Sequence, residues 1–344
     1  MLRKKITVLF FLLLMFFILA GIFFYRQVFV VTGEKNEKVF FEVAPGESVS
    51  TLSTRLKDAQ IIRNVDFFKL YLKYSGLDKN IQSGSFELVP PFTIVSVAQK
   101  FGSPESLEQT ITLIPGWDLN DLADYFEKEG IVSSSEFFVL TGTPAEFGPW
   151  ASSTFAEYSL LKSKPQNVSL EGYLAPETYR IYQNESLESV LKRLLAQREK
   201  QFTVEMLEEI NRQGKTIHEI LTMASVIERE VKGDTERKKV SDLFWRRVDA
   251  GWGLQADSTV HYLTERKGDV FTKQKEREID SLYNTYKYQG LPPGPISSPS
   301  LSSILAAIYP QKNDAWYFLT TFEGEVKYGR TLDEHNANVQ KYLR

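Results

Sequence analysis

The sequence predicts an α+β protein held to a membrane by one N-terminal helix, and three observations carry that prediction. An uncharged apolar run stands near the start, a strand–turn–helix pattern occurs twice, and the second half mixes amphipathic helices with a hairpin. They imply a tail at 1–5, a transmembrane helix at 6–24 and a linker at 25–40. A small βα domain at 41–106 follows, then a larger α+β domain at 107–344 that contains a second βα unit at 110–195.

From Ile6 to Phe24 there is no charge, and Thr7 is the only polar side chain. At about 1.5 Å per residue this run nearly matches a hydrocarbon core of about 30 Å. It ends in Ile22-Phe23-Phe24-Tyr25, whereas a cleaved signal ends in small residues, so an uncleaved anchor is expected. Arg3, Lys4 and Lys5 stand tightly before the span, while Arg26, Lys35 and Lys38 follow loosely beside Glu34 and Glu37. That bias favours a cytoplasmic N-terminus and an exported body.

Residues 43–68 and 113–138 align without a gap at an offset of 70. Val43-Ala-Pro-Gly46 matches Leu113-Ile-Pro-Gly116, and Val49, Leu52, Leu56, Ile61 and Ile62 fall on Leu119, Leu122, Phe126, Ile131 and Val132. Each copy reads as a strand, a Pro-Gly turn and an amphipathic helix. Such βα units resemble LysM-like modules, which bind polysaccharide. Further on, Ser83-Gly-Ser-Phe86 precedes a helix at 92–101, as Glu171-Gly-Tyr-Leu174 precedes one at 186–194. The second copy carries an extra stretch at about 141–165, and this alignment sets Glu171 opposite Ser83.

Beyond residue 200, helices are expected at 201–213, 216–231 and 236–250, the last stopping at Gly251. Gly290-Leu-Pro-Pro-Gly-Pro295 is a rigid loop. Ser298-Pro299 opens a helix that ends near Tyr309-Pro310, with Pro299 in the tolerated first position. A strand at 315–322 turns at Glu323-Gly324 into 326–330, and a helix at 331–343 closes the chain.

Composition removes several chemistries. A net charge of -3 over 344 residues offers no basic footprint for nucleic acid. Without cysteine there is no disulfide, thiolate site or thiol nucleophile. His218, His261 and His335 are too dispersed to suggest a metal site, and no phosphate loop or G-x-S-x-G elbow occurs, so neither metal nor cofactor is expected. Carboxylates remain. On a helical wheel for 216–231, Glu228 falls inside the stripe of Ile217, Ile220, Leu221, Ala224, Ile227 and Val231, whereas Glu219 and Glu230 fall on the opposite, solvated side. A carboxylate in an apolar stripe is either paired or functional, and the wheel leaves both open. Glu171 stands among Leu170, Tyr173, Leu174 and Tyr179, surroundings that raise a carboxyl pKa toward that of a general acid.

Six ordered segments carry a resemblance that spans nearly the whole chain. They are Leu170-Glu-Gly-Tyr-Leu-Ala-Pro-Glu-Thr-Tyr179, Ala224-Ser-Val-Ile-Glu-Arg-Glu230, Leu254-Gln-Ala-Asp-Ser-Thr-Val260, Tyr283-Asn-Thr-Tyr286, Gly290-Leu-Pro-Pro-Gly-Pro-Ile296 and Thr331-Leu-Asp-Glu-His-Asn336. Together they resemble the endolytic murein transglycosylase family, also called MltG- or YceG-like. The resemblance implies an N-terminal transmembrane helix, duplicated LysM-like units and a C-terminal α+β catalytic domain. It implies a lyase that cuts the MurNAc-β-1,4-GlcNAc bond within nascent peptidoglycan strands, leaves 1,6-anhydro ends and so terminates glycan elongation. Glu171 matches the catalytic glutamate, and Glu228, Gln255, Asp257, Tyr283, Asn284 and Tyr286 match cleft positions. Peptidoglycan synthases (penicillin-binding proteins) are the implied partners, beside the outer face of the cytoplasmic membrane. Two other readings are an anchored peptidoglycan-binding protein without activity and a two-carboxylate hydrolase using Glu171, Glu228 and water.

Overall fold

A computed structural model describes residues 2–30, 37–102, 108–148, 152–182, 185–265 and 272–344. Residues 31–36 of the expected linker, the 106/107 boundary and part of the 141–165 stretch lie outside the described residues. Helix α1 runs Leu2–Phe29, longer than the expected 6–24. Its last turn continues because it has something to pack against: Val28 is buried in a core and Phe24 lies at the edge of that core. From Phe11 to Ile22 the large apolar side chains are exposed, and the helix is long and apolar enough to cross a membrane by length and composition.

The chain divides into two compact units. The first comprises residues 1–110 with 180–185. After α1 it contains β1 (Val39–Val43), α2 (Val49–Asp58), α3 (Val65–Ser75), β2 (Gly84–Leu88) and α4 (Ile94–Phe101). Strands β1 and β2 pair antiparallel with Phe41 opposite Phe86. Alternation on these strands sends Phe41, Val43, Phe86 and Leu88 into a core shared with Leu52, Leu56, Phe68, Val97 and Phe101. Ser48 caps α2 by accepting from the Thr51 amide, and Asn64 caps α3.

The second unit comprises residues 111–179 and 186–344. The order of elements repeats as β3 (Glu108–Thr112), α5 (Leu119–Lys128), α6 (Ser134–Thr141), β4 (Thr178–Tyr182) and α7 (Leu187–Lys200), with the division between units falling inside β3 and β4. Helices α2 and α5 begin and end at the same offset as the sequence repeat, and Gly46 and Gly116 both sit at positive φ (73° and 87°) in the turns before them. The pairing of Glu171 with Ser83 fails. Strand β4 starts at Thr178, so the residue that stands before it, as Ser83 stands before β2, is Glu177. Residues 171–174 form a turn instead, with Gly172 at φ 78°.

Helices α8 (Val204–Arg212), α9 (Ile217–Glu230), α10 (Asp234–Asp249), α11 (Asp257–Thr264) and the short α12 (Gln274–Arg277) follow. Then come α13 (Leu301–Ile308), β5 (Tyr317–Thr320), β6 (Val326–Gly329) and α14 (Leu332–Tyr342). Helix α9 is central and packs against α10, α11 and α13. All eight residues from Ile220 to Ile227 are buried, so the solvated side expected for this helix does not exist there. Ser300, not Ser298, caps α13, because its side chain accepts from the Ser303 amide and Pro299 lies one position outside. The predicted hairpin is present, with Tyr317 opposite Gly329 and Thr320 opposite Val326.

Candidate active site

The turn that carries Glu171 is fixed from beneath. A side chain at position 172 would bring its Cβ to 2.4 Å from Pro295 Cβ, so only glycine allows this approach and this φ. The proline-rich loop is itself tied down by His218. Its Nε2 bonds the Pro293 carbonyl at 2.8 Å and its Nδ1 meets the Tyr173 hydroxyl at 2.8 Å. A carbonyl only accepts, so Nε2 carries the proton of the neutral ring and Nδ1 accepts from Tyr173. Burial lowers the His218 pKa, which agrees with a neutral ring.

Glu171 is 0% exposed. Its Oε2 accepts from the amide of Leu119, the first residue of α5, at 2.9 Å, and from the Tyr262 hydroxyl of α11 at 3.3 Å. Among the described residues Oε1 has no hydrogen-bond partner. Burial pushes the carboxyl well above its ordinary range and nearby Asp118 adds to this, against the Leu119 amide, Tyr262 and Arg229. Burial thus biases this carboxyl toward its neutral form.

A cavity of about 1000 Å³ opens on the same unit. Glu230, at the end of α9, lines it with Asp257 and His261 of α11, Tyr286, Tyr317 and His335. Arg229, Arg247 and Arg277 add positive charge to the wall. Glu230 is half-buried, and its Oε1 accepts from the Ser258 amide at 3.1 Å. Burial raises its pKa, hydrogen bonding from Ser258 opposes the rise, and the charge of Asp257 adds to it. Asp257 Oδ1 accepts from Tyr286 at 2.7 Å and Thr272 at 2.6 Å, while the Arg277 guanidinium lies over the Tyr286 ring at 4.6 Å. One partly accessible carboxyl with a raised pKa, set among cations and hydrogen-bonding groups, is equipped to move a proton.

Of the residues expected in a cleft, Gln255, Asp257 and Tyr286 line this cavity. Glu228, Tyr283 and Asn284 hold structure around it. Glu228 pairs with Arg237 at 3.1 Å and accepts from the Ser300 amide at 2.9 Å and the Ser303 hydroxyl at 2.7 Å. Asn284 is buried and spends its amide on the carbonyls of Arg277 and Ile279 and on the Tyr286 amide. Tyr283 packs its ring 5.3 Å from that of Tyr262. The helical wheel sets Glu230 on a solvated side, but the charge-free run Ile220–Ile227, whose only polar side chains are Thr222 and Ser225, signals a helix covered all round. No group of three His, Asp or Glu residues that could hold a metal occurs among the described residues.

This architecture matches known proteins. The sequence fits the YceG-like family over residues 41–341. It is 32% identical over 337 residues to the endolytic murein transglycosylase of Bacillus subtilis (strain 168), covering 95% of this chain and 91% of that one. It is 28% identical to the endolytic murein transglycosylase of Streptococcus pneumoniae (strain ATCC BAA-255 / R6), covering 98% of this chain and 65% of that longer one. The crystal structure of a yceG-like protein from Listeria monocytogenes superposes with a TM-score of 0.58 at 30% identity, covering 88% of this chain and 99% of the other. The chain belongs to the YceG-like family. It is an enzyme of the lytic transglycosylase type, a lyase.

Proposed function

We propose that the protein is an endolytic peptidoglycan lytic transglycosylase, cleaving the MurNAc-β-1,4-GlcNAc bond of nascent strands and leaving 1,6-anhydro-MurNAc ends. The names of its relatives support the substrate class, and the cavity that brings Glu230, Asp257, Gln255 and Tyr286 together supports the site. In this reading the protonated carboxyl of Glu230 gives its proton to the departing glycosidic oxygen as the C1–O bond breaks. The MurNAc 6-hydroxyl closes on C1 and its proton returns to the carboxylate, so no water is consumed. The nucleophile belongs to the substrate, which removes the need for the second carboxylate of a hydrolysing glycosidase.

Two observations favour Glu230 over Glu171 for the proton: Glu230 lines the cavity, and Glu171 is sealed from solvent. One observation favours Glu171 as a second reading, namely the strong upward push on its pKa by burial. The anchor and the strand–helix–helix–strand units, read as LysM-like polysaccharide binders, fit work on strands beside synthases outside the cytoplasmic membrane. The test uses the full-length chain in detergent on purified sacculi, with products read by mass spectrometry. Anhydro ends are expected. Reducing ends would establish a hydrolase, and intact strands a binding protein.

A further inference from the structure

We propose that Trp252 and Trp316 form a second glycan-binding platform at the rim of the cavity, which stacks a pyranose of the strand lying beyond the bond being cut. The inference rests on the functional reading above and extends it to a subsite. Trp252 is 44% exposed although its ring lies only 5.0 Å from that of Trp316. Such a large apolar surface normally turns inward, so an indole braced from one side and open on the other is a surface prepared for a flat apolar partner. The platform adjoins the cavity. The Trp252 ring is 6.5 Å from that of Tyr317, which lines the cavity wall, and Gln255, three residues further along the chain, lines it too.

The platform is rigid. The Trp252 amide donates to the Arg247 carbonyl at 2.8 Å, and its carbonyl accepts from the Gly290 amide at 3.3 Å. Behind it, the Arg246 guanidinium lies 4.8 Å over the Trp316 ring. Neither tryptophan spends its position on closing the core, and little ordering remains to be done when a ligand arrives. The chemistry that fits is a β-1,4-linked aminosugar. Its equatorial substituents leave axial C–H groups on both faces, and these meet the electron-rich indole. A ring with a bulky 3-O-substituent stacks less closely, so the unit bound is the N-acetylglucosamine rather than the muramic acid.

The experiment measures KM and kcat of the full-length chain in detergent for glycan strands sorted by length. It also titrates chitohexaose by intrinsic fluorescence. Trp252→Ala and Trp252→Leu are each expected to raise KM for long strands about tenfold, with kcat within about twofold, while fragments too short to reach the rim are unaffected. Trp252→Phe restores KM to within about threefold, and chitohexaose affinity follows the same order. Leucine keeps apolar packing against Trp316 without a π face, so a variant that merely lost packing would not behave this way. Equal KM for all variants on long strands, or unchanged chitohexaose affinity, overturns the platform. Failure of the wild-type chain to cut any strand would instead overturn the functional reading, and the chitohexaose titration would still test the platform.

Discussion

Two glutamates with raised pKa values divide the site at the scale of single residues, and each leaves its own signature. Glu230 must be protonated to act as an acid, so kcat/KM should fall as pH rises through its elevated pKa. Glu230→Gln removes the transferable proton while keeping a partner for the Ser258 amide, and should lower kcat by about 10²–10⁴-fold in a folded protein. A Glu230→Gln protein with wild-type turnover would hand the role back to Glu171. The raised pKa of Glu171 also bears on stability. Below the ordinary value of 4.5 both folded and unfolded chains hold its proton; above it, only the folded chain does. Stability therefore declines as pH rises from 4.5 toward the folded pKa. Glu171→Gln abolishes that titration and still accepts from the Leu119 amide, so its melting temperature relative to wild type should climb with pH across this window. A difference that does not vary with pH would mean the carboxyl titrates normally in the folded chain.

At the scale of elements, the readable parts were those whose residues repeat or alternate. Helices α2 and α5 were legible because the apolar spacing from Val49 recurs from Leu119, and the Pro-Gly turn precedes both. The final hairpin was legible from its Glu323-Gly324 turn. The alignment of Glu171-Gly172 with Ser83-Gly84 fails because Gly172 serves a close approach to Pro295, which is distant in sequence. The candidate site was legible only in part, since a wheel describes one helix and cannot reveal that α10, α11 and α13 all pack against α9. Glu228 shows the same limit. It fell inside the apolar stripe because it ties α9 to the start of α13, through Ser300 and Ser303, and to Arg237. Glu228→Gln takes from the half-buried Arg237 the nearer of its two anions, leaving it the exposed Asp234 at 3.6 Å, and should cost about 1–3 kcal/mol in urea unfolding. Turnover per folded molecule should stay within about threefold, a residual rate well above a lost general acid. A variant of full stability but little activity would move Glu228 into the chemistry.

At the scale of the whole molecule, the first unit begins with a helix long and apolar enough to cross a membrane. Of α1, the uncharged residues 6–22 precede the ring pair Phe23 and Phe24 that packs at Phe67. At about 1.5 Å per residue that length reaches about 26 Å, most of a hydrocarbon core of about 30 Å. The apolar side chains from Phe11 to Ile22 are exposed, which suits lipid and no aqueous phase. In a membrane, packing of the last turns of α1 against residues of the first unit would leave little slack between bilayer and that unit. Under the function proposed above the glycan lies outside the membrane, so the folded units are expected on the extracytoplasmic side, which the basic cluster Arg3, Lys4 and Lys5 also favours. The absence of cysteine makes this directly measurable, because every introduced thiol is unique. Tyr74→Cys, at a position 86% exposed, and Val204→Cys, at one 67% exposed, sample the two units without touching a core. In intact cells both should react with a membrane-impermeant maleimide, and Lys4→Cys should react only after permeabilisation. Labelling of Lys4→Cys alone in intact cells would invert the topology and remove the enzyme from its substrate.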